Sequence, residues 1–124
     1  MSISAREIGE MSRGETSSII IDWGENTAGS ETGVLKDGDT VASAVVVVDS
    51  KPTLAVDPTL GPVTVNAAEI YVNERLCSIG EATVCLITTA SDQVYGDYRL
   101  KVTATTTDGL VFPRFVTIQV KVAR

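Results

Sequence analysis

The C-terminal part of the chain, residues 96–122, alternates between apolar and polar side chains on both sides of an Asp-Gly pair. Every second residue is apolar from Tyr98 to Ala104 and again from Val116 to Val122. Successive side chains of a strand point to opposite faces, and Asp-Gly is a typical hairpin turn. The pattern predicts a two-stranded ribbon with one apolar face, which must be covered by a second layer of structure.

Short runs with the same two-residue period lie upstream and are separated by turn residues. They predict strands over residues 18–23, 63–72 and 81–89, with a helical turn over residues 67–76 as the alternative for part of the second. The segment 51–62 holds three prolines, so it is expected to be a loop or a short edge strand. With no helical pattern longer than two turns, the chain is predicted to be an all-β antiparallel sandwich of six to seven strands.

A run of four consecutive valines, Val45 to Val48, follows a Gly-Asp turn at residues 38–39. Neighbouring valines point to opposite faces, so both faces of this strand are apolar. The run therefore predicts a strand in the middle of the sandwich, or one covered by a partner.

The N-terminus has the pattern of a helix start rather than a strand. Ser4 is a candidate N-cap with Glu7 as its capping-box partner, and Ile3 and Ile8 occupy the staple positions. A short helix is predicted over residues 4–13. Isolated helices of this length are unstable in water, so the helix is expected to dock on its own domain or on a neighbour.

The chain has 124 residues, which suits one domain. We predict an N-terminal arm over residues 1–15, which orders by docking on its own domain or on a partner, and a single sandwich domain over residues 16–124. The longest apolar run is far too short to span a bilayer, and the first residues lack the apolar stretch typical of a secretory signal, so none is expected.

The composition excludes much chemistry. The chain has no histidine, which removes His-dependent nucleophiles, His general bases and His-containing zinc sites. Its acidic residues are scattered and its net charge is −6, so neither nucleic acid nor an anionic membrane is expected as a partner. Cys77 and Cys85 are expected to be reduced core residues. No catalytic residue, metal site or cofactor is predicted, and the chain is not expected to be an enzyme.

Candidate partner-binding residues are the apolar side chains of the predicted arm and of the valine strand, together with the single tryptophan. Trp23 is either a core residue or the anchor of an interface, since tryptophan is enriched among interface hot spots. The predicted partner-binding residues are Ile3, Ile8, Met11, Trp23, Val46 and Val48.

The run Gly96-Asp97-Tyr98-Arg99-Leu100 is similar to the start of strand F in immunoglobulin-like domains, where the tyrosine hydroxyl bonds back to the preceding corner. Further short motifs, among them Ile21-Asp22-Trp23, Gly38-Asp39-Thr40 and Thr107-Asp108-Gly109, occur with it in a fixed order. Together they resemble the fiber-tail adaptor-like family of tailed phages and prophages, small virion proteins with an immunoglobulin-like sandwich. The signature residues of this resemblance are Asp22, Gly38, Asp39, Thr40, Gly96, Tyr98, Asp108 and Gly109.

This resemblance implies a non-enzymatic virion protein without a cofactor, present in several symmetric copies at the tail or connector. Its expected partners are other phage structural proteins of the tail, portal or fibers. One alternative of the same fold class is a capsid decoration protein on the head shell. Another is an immunoglobulin-like adhesion or carbohydrate-binding module.

Overall fold

A computed structural model describes residues 2–3, 8–24, 35, 39–72 and 75–122 of the chain, and every regular element in these ranges is a β-strand. The strands in chain order are β1 (Ser2–Ile3), β2 (Ile8–Met11), β3 (Thr16–Asp22), β4 (Val41–Ser50), β5 (Thr59–Leu60), β6 (Thr64–Val65), β7 (Ile70–Val72), β8 (Arg75–Cys77), β9 (Ala82–Thr88), β10 (Gly96–Thr106) and β11 (Val111–Val120). The predicted all-β class is confirmed.

The strands form two main sheets and one small hairpin. The first sheet has the order β1-β3-β9-β5, with β6 also paired to β9, and the second has the order β2-β11-β10-β4. β7 and β8 pair with each other. All of these pairs are antiparallel except two at the N-terminus, where β1 runs parallel to β3 and β2 runs parallel to β11.

The predicted C-terminal hairpin is present as β10 and β11. Tyr98 lies opposite Ile118 and Leu100 opposite Val116, so the apolar side chains of both strands share one face. Gly109 lies in the turn with φ of 86°, a conformation that glycine adopts without steric cost. The alternation seen in the sequence therefore corresponds to a buried and an exposed face.

The apolar faces of the two main sheets pack against each other in one core. Ile19, Ile21 and Ile87 of the first sheet and Leu100 and Ile118 of the second are all 0–2% exposed. Burying one such side chain contributes about 1.5–3 kcal/mol relative to leaving it in water. This face-to-face packing gives the chain a sandwich-like, two-layer architecture.

The strand predicted over residues 63–72 is interrupted by a turn at Asn66. The buried side-chain amide of Asn66 donates to the carbonyl oxygens of Ala68 and Ser78 and accepts from the backbone N–H groups of Gly80 and Ala82. Four hydrogen bonds satisfy the whole amide. These bonds fix the turn between β6 and β7, so the single predicted strand is divided into two short strands.

The valine strand lies at an edge and not in the middle of the sandwich. Within the described residues β4 pairs as a strand only with β10, and on its other edge the N–H of Val41 donates to the carbonyl oxygen of Gly80 while no other strand pairs there. Val46 and Val48 are half-buried against the core, whereas Val45 and Val47 are 63% and 52% exposed. The prediction of burial on both faces is therefore wrong for the isolated chain. Valine favours extended backbone whether or not both faces are covered.

The predicted helix over residues 4–13 is wrong in the part that the structure describes. Residues 8–11 form β2, in which Ile8 lies opposite Thr117 and Met11 opposite Val120. Residues 4–7 lie outside the described ranges. Local capping signals favoured a helix, but pairing with β11 and burial of Met11 outweigh a weak intrinsic preference.

Candidate functional site

A buried carboxylate joins the start of β4 to the turn between β10 and β11. One oxygen of Asp39, Oδ1, accepts hydrogen bonds from the hydroxyl of Thr107 at 2.6 Å, from the N–H of Thr40 at 2.9 Å and from the N–H of Asp108 at 3.3 Å. The backbone N–H of Thr107 donates in turn to the carbonyl of Thr40. Two motifs of the resemblance, far apart in sequence, therefore form one junction, which we call the Asp39 junction.

The hydrogen bonds of this junction lower the pKa of Asp39 from its usual value of 3.8. The hydroxyl of Thr107 makes the largest contribution, and burial of the carboxylate acts in the opposite direction. Donors that stabilise the charged form always shift an acid in this direction. Gly38, the remaining signature residue of this motif, lies outside the described residues.

A second junction is centred on Tyr98, which is 1% exposed. Its hydroxyl donates to the carbonyl oxygen of Val94 at 2.6 Å and accepts from Nε2 of Gln93 at 3.0 Å. The same amide nitrogen donates to the carbonyl oxygen of Val56 at 2.6 Å. The predicted bond from the tyrosine hydroxyl back to the preceding backbone is confirmed, and we call this cluster the Tyr98 junction.

Gly96 is required at this junction by a close approach. Its φ is 135°, and a Cβ atom built there would lie 2.8 Å from Cγ of Pro52. A side chain at this position would push away the loop that Gln93 holds. The glycine two residues before the tyrosine thus lets the 51–58 loop lie against β10.

Trp23 is a core residue, the first of the two roles predicted for it, and its place among the predicted partner-binding residues is wrong for the isolated chain. Its ring is completely buried, and its Nε1 donates to the hydroxyl of Thr83 at 2.9 Å. The guanidinium of Arg114 lies 5.8 Å from the ring centre, and burial lowers the pKa of that guanidinium. The preceding signature residue, Asp22, accepts a bond from the N–H of Gly24 and ends β3.

The other predicted partner-binding residues do not form one exposed surface either. Met11 is 2% exposed and belongs to the core, while Val46 and Val48 point inward from β4. Ile3 and Ile8 lie in β1 and β2; their side chains are outside the described part of the structure. The outward valines of β4, Val45 and Val47, are the exposed ones, because they lie on the face of the sheet that points away from the core.

Cys77 and Cys85 are both buried, as predicted, and no disulfide joins them. Burial raises the pKa of the Cys85 thiol, whose Sγ donates to the carbonyl of Gly61. No group of three or more Cys, Asp or Glu side chains that could hold a metal ion occurs in the described ranges. The same ranges contain no helix long and apolar enough to cross a membrane.

The exposed apolar side chains near β4 are the surface feature that sequence reasoning missed. The loop after β4 presents Leu54 and Val56, which are 93% and 78% exposed. A groove of about 350 Å³ runs between residues 44–46 of β4 and the segment 60–63. The only available signal was three apolar residues between prolines in the run KPTLAVDP, and this pattern carries no information about exposure.

Comparison with known proteins gives no further assignment for this arrangement. No family model matches the chain. No curated protein matches it significantly either.

Proposed function

We propose that this chain is a non-enzymatic structural protein of a tailed-phage particle, an adaptor that joins tail or portal-proximal proteins to fibers. In this role several symmetric copies surround the tail or connector axis. The chain is made in the bacterial host and acts in the virion, and its partners are other structural proteins. It binds no cofactor, nucleic acid or membrane.

The observation that carries the proposal is the position of the signature residues. Asp39, Thr107 and Asp108 meet in the Asp39 junction, although the two motifs are 68 positions apart along the chain. Tyr98 forms the bond that the resemblance implies. The resemblance grouped these residues by sequence alone, and their side chains form structural hydrogen bonds in the fold. This is expected if the chain shares its sandwich fold with the family by common ancestry.

The strand order supports an immunoglobulin-like form of the sandwich. The second sheet places β11, β10 and β4 side by side, and the first sheet places β3, β9 and β5 side by side. This is the arrangement of strands G, F and C facing strands B, E and D in such domains. We assign the chain to this fold as part of the proposal.

The surface is also suited to protein contacts. The chain exposes aliphatic side chains on β4 and on the following loop, whereas its described acidic residues form no converging group that could hold a metal. An adaptor needs surfaces that bind neighbouring proteins, and single exposed aliphatic anchors at an open strand edge meet this need.

Copy number in purified virions tests the proposal. Quantitative mass spectrometry of the particle, with light scattering of the free chain as reference, is expected to give about six to twelve copies. Hundreds of copies would favour the decoration protein on the head shell. Absence of the chain from purified particles would contradict both virion roles and leave the adhesion or carbohydrate-binding module.

A further inference from the structure

The loop between β4 and β5 carries an apolar tip, residues 53–56, that points into water. Leu54 and Val56 are the two most exposed large apolar side chains in the described part of the chain. A leucine with 93% of its surface exposed contributes almost nothing to its own core. Single exposed apolar residues are common, but Leu54 and Val56 lie together at the tip of one loop and form a small apolar surface that a partner can contact.

The tip is held in place by the residues around it. Nε2 of Gln93 donates to the carbonyl oxygen of Val56 at 2.6 Å, and the N–H of Ala55 donates to the carbonyl three residues earlier at 3.1 Å. Lys51 and Asp57 close the loop with an ion pair of 2.8 Å. The tip is consequently a preorganised shape, which loses little conformational freedom when it binds.

The backbone at the tip is strained. Leu54 has φ of 65°, the single described non-glycine residue with positive φ. Bulky side chains rarely adopt this conformation, because Cβ approaches the following carbonyl oxygen. Strain that the surroundings impose on an exposed residue is typical of sites where the side chain serves a contact.

An apolar groove that could receive this tip lies on the same chain. Its walls are residues 44–46 of the open-edged β4 and the segment 60–63, and all of these residues are Ala, Val, Leu, Gly or Pro. Neither the groove nor the tip carries a charge. Two copies, each with a net charge of −6, would meet here through uncharged residues, with Asp92 and the ion-paired Asp57 at the rim of the tip.

We propose that the apolar tip of one copy, with Leu54 as its anchor, binds in the β4 groove of a second copy. In the head-to-tail form of this contact the second copy keeps its own tip available for a third, and the copies form a closed ring or an open chain. The inference rests on the proposed function in that symmetric copies around an axis need such a contact. Its test uses the purified chain alone, so the tip-to-groove contact can be disproved while the expected copy number in virions is still observed.

Self-association of the chain, measured by sedimentation from about 10 µM to about 1 mM, tests the contact. Because one leucine per contact supplies most of the apolar burial, we expect weak association in the upper part of this range. Leu54→Glu on the tip and Val45→Glu in the groove should each weaken association about ten- to hundredfold. Pro62→Glu is a second groove variant that alters no strand.

Val111→Glu is the matched control, because Val111 is 58% exposed on β11 and lines neither the tip nor the groove. It should associate as the unmodified chain does. The circular dichroism spectrum and melting temperature of every variant establish that it is folded before its association is compared.

Mixing the two kinds of variant gives the decisive result. The Val45→Glu chain keeps an intact tip and the Leu54→Glu chain keeps an intact groove, so a mixture should form dimers at close to the unmodified affinity but nothing larger. Failure of the mixture to associate overturns the proposal. So does a chain that stays monomeric at about 1 mM, or one whose association Leu54→Glu leaves unchanged; the tip would then bind a different protein.

Discussion

The hydroxyl of Tyr98 connects three backbone segments through very few atoms. It bonds to Val94 directly and, through Gln93, to the loop that carries Val56. Replacing a buried hydroxyl removes its own bond and leaves a partner unsatisfied, so its cost exceeds that of an average hydrogen bond.

Tyr98→Phe is therefore expected to lower the free energy of unfolding by about 1–2 kcal/mol. Urea denaturation with an unchanged m value is the measurement. Tyr71→Phe is the control, since Tyr71 is 73% exposed and the change should stay within about 0.5 kcal/mol. Equal stability of the two variants would show that the Tyr98 junction contributes nothing.

Leu54→Gly should make the isolated chain more stable, although it removes an apolar side chain. Removing the strain of the left-handed backbone raises the free energy of unfolding by about 1–2 kcal/mol. The greater conformational freedom of glycine in the unfolded chain lowers it again by roughly half of that amount. We expect a gain of about 0.5–1 kcal/mol by thermal and urea denaturation. A loss of stability would mean that the leucine packs on its own fold.

Leu54→Ala is the companion variant for this measurement. It removes the same apolar atoms but keeps the unfavourable φ of 65°. Its stability should match that of the unmodified chain within about 0.5 kcal/mol, because the removed atoms are exposed. Only the glycine variant should be stabilised.

At the scale of the element, the Asp39 junction makes the attachment of β4 to the β10–β11 turn dependent on pH. The folded-state pKa of Asp39 lies below its usual value of 3.8. Such a group stabilises the fold fully above its unfolded-state pKa, and this stabilisation is lost as the pH falls through the folded-state pKa. Acid should therefore loosen the start of β4.

Thr107→Val should raise the pKa of Asp39 toward 3.8, because the strongest donor to the carboxylate is removed. NMR titration of the side-chain carboxyl carbon gives this pKa directly. Thr105→Val is the control, since Thr105 makes no bond to Asp39 among the described contacts. An unchanged titration in Thr107→Val would contradict the geometry of the junction.

The two faces of β4 should respond differently to a charge. Val46→Asp places a carboxylate against the core and is expected to cost about 2–4 kcal/mol or to unfold the chain. Val45→Asp, one residue away and 63% exposed, should cost less than about 1 kcal/mol. Thermal denaturation of the pair measures the difference, and equal costs would mean that the strand is not oriented as described.

For the whole molecule, the sequence predicted best those strands in which apolar residues recur with the two-residue period of strand geometry. The alternation in β10 and β11 predicted their buried faces, because the period of a strand and its burial are directly coupled. The Tyr98 bond was predicted through a resemblance and not through periodicity.

Features set by long-range neighbours could not be predicted in this way. The valine run does not show whether β4 lies at an edge, since that depends on which strands pair with it. Residues 8–11 belong to a segment with the sequence pattern of a helix start, yet they form a strand that pairs with β11. Asn66 and Gln93 are single polar residues whose partners lie in other segments, so no local pattern identifies them.

The parallel pairing of β2 with β11 also determines how the chain responds to mechanical tension. β2 and the last described strand, β11, run side by side in the same direction, from Ile8 beside Thr117 to Met11 beside Val120. Opposite pulls on the two ends slide these strands past each other, so the hydrogen bonds between them share the load and must break together. A chain held at both ends would therefore resist a pulling force with all the hydrogen bonds between β2 and β11 at once. These bonds would not break one after another.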